Sequence, residues 1–171
     1  MADMLPMIAF VGRSNCGKTT LLEKLIPLLQ GRGYRVGVVK HTAHVTVETD
    51  APGTDTRRLW DSGVAHVTLA AGDRVVHTHR YDVPPALEAV LAGMHGVDIV
   101  LVEGYKGSAL PKIEVVRAVR DPQCIPGLIG RIACVTDVAD LACDGPRFGL
   151  EKVEALADFI ERAVIRADVE G

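Results

Sequence analysis

Apolar positions along this chain recur with two periods, and the switch between them marks the elements. Residues 7–11 are a short unbroken apolar run, the pattern of a strand buried on both faces. Over residues 19–30 the period lengthens. Leu21, Leu22, Leu25, Ile26, Leu28 and Leu29 form one broad helical face, with Glu23 and Lys24 outside it. Pro27 interrupts that run and is expected to kink the last turn, because proline removes a ladder donor; Gly31 and Gly33 end the helix. Residues 34–39 return to the strand period. Strand, loop, helix and strand in this order form a βαβ unit, which predicts parallel strands with a right-handed crossover. Ligands of such sheets collect beyond the carboxyl ends of the strands. This places Lys40, His41, Thr42, Ala43 and His44 beside the loop that follows the first strand.

Residues 45–53 carry Glu48, Asp50, Pro52 and Gly53 without periodicity and read as a surface loop. Thr54 is placed to cap a short helix over 55–62, with Leu59 and Trp60 to pack and Gly63 to stop it. Residues 64–71 and 74–79 are two strand-like runs around Gly72-Asp73, a two-residue hairpin turn. Asp82-Val83-Pro84-Pro85 then signals a helix start, with the helix over 86–94. Residues 97–102 are almost wholly apolar and predict a central strand, ending at Glu103-Gly104-Tyr105-Lys106. Asp98, at the opposite end of that strand, is expected to be structural. Further strands are expected over 112–116 and 131–135. A terminal helix over 149–166 carries the stripe Val153, Leu156, Ala157, Ile160 and Val164.

One stretch gives this α/β pattern a chemistry. Gly12-Arg13-Ser14-Asn15-Cys16-Gly17-Lys18-Thr19 lies between the first strand and the first helix and fits G-x-x-x-x-G-K-[ST] in full. Gly12 and Gly17 let the backbone turn tightly and bring N–H groups to an anion. The helix start adds its dipole, Lys18 a full positive charge, and Thr19 a hydroxyl for a phosphate-bound Mg²⁺. The fold expected is therefore α/β, a P-loop NTPase-like three-layer fold with a mostly parallel sheet. An antiparallel β-hairpin insertion at about 64–79 falls within a single nucleotide-binding domain over 1–171. Glu103, at the carboxyl end of a buried strand, is placed to hold the Mg²⁺ shell. Asp50 and Asp55 fall in a loop expected to overhang the phosphates, Asp55 with a helix-start role as the alternative. Asp137 follows the last strand, where a carboxylate can accept the N1–H and N2–H of guanine or cap a turn; the usual Asn-Lys-x-Asp sequence is missing.

Composition narrows the classes. The chain has 171 residues, 48% hydrophobic and 24% charged, enough for one domain with its own core. A net charge of −3 and 4% aromatics argue against nucleic acid as a partner. No apolar run approaches the roughly 20 residues of a membrane span, and Asp3 without a basic n-region argues against a signal peptide. A cytoplasmic protein is expected. Cys16, Cys124, Cys134 and Cys143 show no C-x-x-C spacing and are expected to be free thiols in a reducing cytosol.

Together these stretches resemble the MobB family, the molybdopterin-guanine dinucleotide biosynthesis adapter proteins. The resemblance rests on residues 12–19 with Thr20-Leu21-Leu22, and on Lys40-His41 with His44. It extends through Asp50-x-Pro52-Gly53-x-Asp55 with Arg58, Leu101-Val102-Glu103-Gly104-Tyr105-Lys106, and Lys112-Ile113 with Arg117. It implies a P-loop protein that binds GTP with Mg²⁺ and hydrolyses it slowly at most. It also implies a homodimer, with the hairpin region in a shared sheet, that assists the MobA nucleotidyltransferase and meets other molybdenum cofactor enzymes. By this resemblance Gly12, Gly17, Lys18 and Thr19 bind phosphates and Mg²⁺, Glu103 takes the Walker-B position, and Lys40, His41 and Asp55 lie by the nucleotide. Lys18, Glu103 and Asp55 are then the candidate catalytic residues. Cys16 stands where a smaller residue is usual, and Arg13 where related GTPases can carry a signature lysine. Two alternatives are a small-molecule kinase using ATP, for which no arginine-bearing lid is evident, and a nickel-loading metallochaperone GTPase. The latter has only scattered histidines at 41, 44, 66, 77 and 79 to support it.

Overall fold

The computed structural model describes residues 5–42 and 50–165. Ala43, His44 and Glu48 therefore lie outside the described residues. The chain forms two compact units, Met1–Thr42 with Gly96–Gly171, and Ala43–His95. The fold is α/β, with a six-stranded sheet in the first unit and an antiparallel hairpin in the second.

In the first unit the sheet is built from β1 (Met7–Gly12), β2 (Val36–Lys40), β5 (Ile99–Glu103), β6 (Lys112–Val116), β7 (Arg131–Thr136) and β8 (Arg147–Phe148), in the order β2-β5-β1-β6-β7-β8. Every neighbouring pair is parallel. The most apolar runs take the centre: Ile8, Ala9, Phe10 and Val11 of β1 and residues 99–102 of β5 are fully buried. Alternate residues Ile8, Phe10, Ile99 and Leu101 share a core with Leu25 and Leu29 of α1 (Lys18–Gly31) and Leu156 and Ile160 of α4 (Val153–Ile160). Each such side chain contributes about 1.5–3 kcal/mol of burial.

Helix α1 runs through Pro27 to its expected end. There Gly33, at φ +94°, lets the chain reverse while the N–H groups of Gly33 and Tyr34 bond back to Gln30 and Leu29. The terminal helix starts later than its periodicity suggests and continues as a π-helical turn over Glu161–Ile165. Strand β8, two residues long, has no counterpart in the sequence reading. Asp98, at the start of β5, accepts from Arg35 Nη2 at 2.7 Å and from the Arg35 backbone N–H at 2.7 Å. The hydrogen bond from the Arg35 side chain is the main reason its carboxyl is held down to about 2. It joins the leading ends of two strands, the structural role expected.

Strand β6 buries two charged residues. Glu114 accepts from Arg131 Nε at 2.8 Å and from the Ile125 N–H at 2.6 Å, while Arg131 Nη2 donates to the Ile125 carbonyl at 2.9 Å. Lys112 is fully buried and donates to the carbonyls of Ser108 and Leu110; desolvation lowers its pKa.

In the second unit Thr54 caps α2 (Asp55–Asp61) as its sequence predicts, its side chain accepting from the Arg57 N–H at 3.4 Å. Strands β3 (His66–Ala71) and β4 (Arg74–His79) pair around Gly72, whose φ of +57° suits the primed hairpin turn. The Arg80 guanidinium lies 4.1 Å over the Trp60 ring and donates to the Trp60 carbonyl. Helix α3 is confined to Leu87–Leu91.

One expectation is corrected in the first unit. Cys134 and Cys143 are joined by a disulfide, so the thiols are not all free; Cys16 and Cys124 are. The folded chain brings together two cysteines whose spacing fits no short motif.

Candidate functional site

The loop after β1 is shaped by what its backbone must avoid. A Cβ on Gly12 would stand 2.5 Å from the Val115 carbonyl oxygen and 2.7 Å from the Cys16 sulfur. Cys16 itself is buried, so it fills the loop from inside. Asn15 and Gly17 both take left-handed backbone, at φ 56° and 88°, and Gly17 is the N-cap of α1. No side chain caps that helix start and no acidic residue lies in its first turn. Its positive end therefore faces the loop without internal neutralisation, as anion binding requires.

The side chains around this loop converge. Lys18 Nζ folds back to donate to the Arg13 carbonyl at 2.9 Å and lies 3.7 Å from Cys16 Sγ. Thr19 Oγ1 donates to Glu103 Oε2 at 2.9 Å. Lys40 Nζ is 3.4 Å from the Thr19 hydroxyl and 3.4 Å from Glu103 Oε2. Strand register explains the meeting: Glu103 stands level with Phe10 of β1 on one side and Lys40 of β2 on the other. Glu103 is nearly buried, whereas Thr19 and Lys40 are exposed. A hydroxyl and a carboxylate side by side are hard oxygen donors, the set that a Mg²⁺ ion takes together with phosphate. The residues present fit that ion and an anionic nucleotide.

The remaining predicted residues fall around this centre. The His41 N–H donates to the Glu103 carbonyl at 2.9 Å, and its ring lies 4.6 Å from that of Tyr105. Gly104 leaves room there; a Cβ would come within 3.1 Å of His41 Cβ. Ser14 and Asn15 are exposed on the loop, and Arg13 pairs with Asp121 at 2.7 Å. Thr20 lines a cavity of about 170 Å³ with Gly17, Lys24 and Arg117. Asp137 is held by Arg117 Nε at 2.9 Å and the Ala118 N–H at 2.7 Å. That backbone N–H, with Arg117 behind it, holds its carboxyl below the usual carboxylate range. Asp55 belongs to the second unit, where it opens α2 and lies 3.5 Å from Arg58.

The sequence reading assigned Arg117 no role of its own. It follows β6, the strand beside β1, and its guanidinium lies 3.3 Å from where a Gly17 Cβ would be. The available signal was its position just past the strand expected over 112–116; that this strand lies beside β1 is shown only by the fold.

A parallel sheet whose central strand runs through a glycine-bounded loop into a helix, with a Thr–Glu pair at its carboxyl edge, defines a P-loop protein of the α/β class. The chain belongs to the MobB family: the profile described as "Molybdopterin guanine dinucleotide synthesis protein B" matches residues 7–137. It is 37% identical over 163 residues to the molybdopterin-guanine dinucleotide biosynthesis adapter protein of Escherichia coli, covering 92% of each chain. It is 33% identical over 163 residues to that of Haemophilus influenzae, covering 94% of this chain and 90% of that protein. The crystal structure of a MobB protein homolog from Bacillus stearothermophilus superposes with a TM-score of 0.68 at 25% identity, over 91% of this chain and 98% of that one.

Proposed function

We propose that this chain binds GTP with Mg²⁺ along residues 12–20 and acts as an adapter in molybdopterin guanine dinucleotide biosynthesis, assisting a MobA-type nucleotidyltransferase. The observation that carries the reading is the 2.9 Å hydrogen bond from Thr19 to Glu103, with Lys40 within 3.4 Å of both, at the mouth of the glycine loop. The names of the relatives support the pathway; the side chains support the ligand class. When bound, Mg²⁺ supplies charge neutralisation for the phosphates. The chain's own residues do the rest. The Thr19 hydroxyl donates its hydrogen bond to Glu103 and keeps its lone pairs for a cation. Glu103 fixes that hydroxyl and adds a carboxylate oxygen. Lys18 and the uncapped start of α1 attract the anion, and Gly12 keeps the backbone close to it. On this reading Asp137, or Arg117 beside it, meets the base, and His41 borders the phosphates.

Turnover is expected to be slow, at most near ~10⁻⁴ s⁻¹, the range of P-loop GTPases without a supplied arginine finger. The protein is further proposed to be cytoplasmic and to dimerise through the hairpin region. Among the described residues no helix is long and apolar enough to cross a membrane. The test is calorimetric titration with GTP and ATP in the presence of Mg²⁺, on the wild type and Lys18→Ala, followed by pull-down of the nucleotidyltransferase. Lys18→Ala is expected to weaken GTP binding roughly 10- to 150-fold, the equivalent of one charged hydrogen bond. ATP binding equal to or tighter than GTP binding would overturn the guanine assignment and favour a kinase.

A further inference from the structure

The sheet carries a second cluster of chemistry that the P-loop does not use. Cys134 is fully buried on β7, and its side chain lies with Val116 and Leu141 in a small core separate from the one under α1 and α4. Cys124 comes from the loop between β6 and β7, and Cys143 from the loop between β7 and β8. The sulfur atoms of these cysteines all lie within 4.8 Å of one another. Cys124 Sγ is 3.9 Å from Cys134 Sγ, although Cys134 is already bonded to Cys143. The bond between a strand interior and the following loop therefore has a third thiol in contact with it.

The loops holding the outer cysteines are anchored. The residue after Cys124, Ile125, is gripped at its N–H by Glu114 and at its carbonyl by Arg131. The segment before Cys143 is held by Arg147 Nη1, which donates to the carbonyls of Leu141 and Ala139. The sulfurs are therefore brought together by the fold and not by chance contact of exposed side chains.

We propose that Cys124, Cys134 and Cys143 form, when the disulfide is reduced, a three-thiolate site for a soft tetrahedral cation of the zinc class, its fourth position taken by water or an exogenous ligand. The distances suit that ion. Zinc–sulfur bonds of about 2.3 Å in a tetrahedron set sulfurs roughly 3.8 Å apart. Cys124 and Cys134 already stand at 3.9 Å. With the Cys134–Cys143 bond opened, Cys143 is placed to complete the triangle. Its Cα lies 6.9 Å from that of Cys134, at the wide limit for a disulfide and suited to two ligands across a metal. Soft thiolates select such an ion over Mg²⁺, which wants oxygen. The balance is simple. A dithiol or phosphine reductant supplies the electron pair that opens the Cys134–Cys143 bond, each sulfur taking one proton. The cation then displaces one proton from each of the three thiols. A small-molecule disulfide reverses the opening: it takes the electron pair and both protons as two thiols, the Cys134–Cys143 bond re-forms, and the site closes.

The test uses the full chain, reduced with a phosphine under anaerobic conditions and titrated with Co²⁺ and then Zn²⁺. One equivalent of Co²⁺ is expected to give a thiolate-to-cobalt charge-transfer band and intense tetrahedral visible bands, unmoved by excess Mg²⁺ and bleached by Zn²⁺. The same protein with its disulfide intact is expected to give neither. Cys124→Ser, which leaves the disulfide pair in place, is expected to weaken Zn²⁺ binding at least roughly tenfold against a chromophoric chelator. Reduced wild type without a charge-transfer band overturns the proposal, as does zinc affinity unchanged in Cys124→Ser with native circular dichroism.

Discussion

Gly12→Ala isolates the geometric demand of the phosphate loop. The added methyl carbon would sit 2.5 Å from the Val115 carbonyl oxygen and 2.7 Å from Cys16 Sγ, on a residue at φ +154°. The two contacts differ in kind. The sulfur ends a side chain and can be trimmed; the carbonyl belongs to β6, which is locked to β1 and β7 by parallel pairing. Overpacking against such a rigid neighbour costs about 1–3 kcal/mol, and the left-handed backbone about 1–3 kcal/mol more. At about 2–4 °C per kcal/mol in a chain of this size, the sum, roughly 2–6 kcal/mol, lowers the melting temperature by about 4–24 °C. Urea and thermal unfolding followed by circular dichroism measure it. Adding Cys16→Ala should recover only the sulfur contact, so the double variant should remain clearly below wild type. A Gly12→Ala melting temperature within about 2 °C of wild type would refute the packing argument. Full recovery by Cys16→Ala would show that the carbonyl contact is not limiting.

Other parts of the molecule yield equally direct expectations. Arg131→Leu strands the Glu114 carboxylate, which is 1% exposed, and should cost about 3–5 kcal/mol in urea unfolding, whereas Glu114→Leu with Arg131→Leu should cost clearly less. Asp98 has its pKa lowered from an ordinary 3.8 to about 2, so its pairing with Arg35 contributes fully above pH 4 and is lost as pH falls through about 2. Acid unfolding of Asp98→Asn should accordingly lack the wild-type decline in that window. Thr54→Ala removes the side-chain cap of α2 and should lower stability of the second unit by about 0.5–2 kcal/mol, read as faster amide exchange over 55–61.

What could be read from the chain was what local backbone chemistry fixes. Gly12 and Gly17 announce their loop because side chains fit its positive-φ backbone poorly, and Gly72 announces the hairpin for the same reason. The place of Glu103 at the end of a buried strand was legible from the apolar run before it; its hydrogen bond from Thr19 needed the fold. The rest depends on partners distant in sequence. Glu114 sits inside a strand and shows its purpose only when Arg131 and Ile125 arrive from the next loop. The Cys134–Cys143 bond follows from how the chain doubles back after β7, which no spacing rule contains. Strand β8, at two residues, is too short to show a period. Asp137 illustrates an intermediate case. Its place after the strand expected over 131–135 was evident, but its engagement by Ala118 and Arg117 needed the fold.

The central position of β1 carries a consequence for how the chain reaches its native state. Met7 pairs with Val100 and Gly12 with Val115, so β1 finds its neighbours only after the residues up to about 115 have been made. Its apolar residues must wait, and closing so long a loop sets a high entropic barrier relative to the local hairpin of residues 66–79. The early intermediate is expected to combine a formed hairpin with a still unpaired, aggregation-prone β1, the sheet condensing late around residues 99–116.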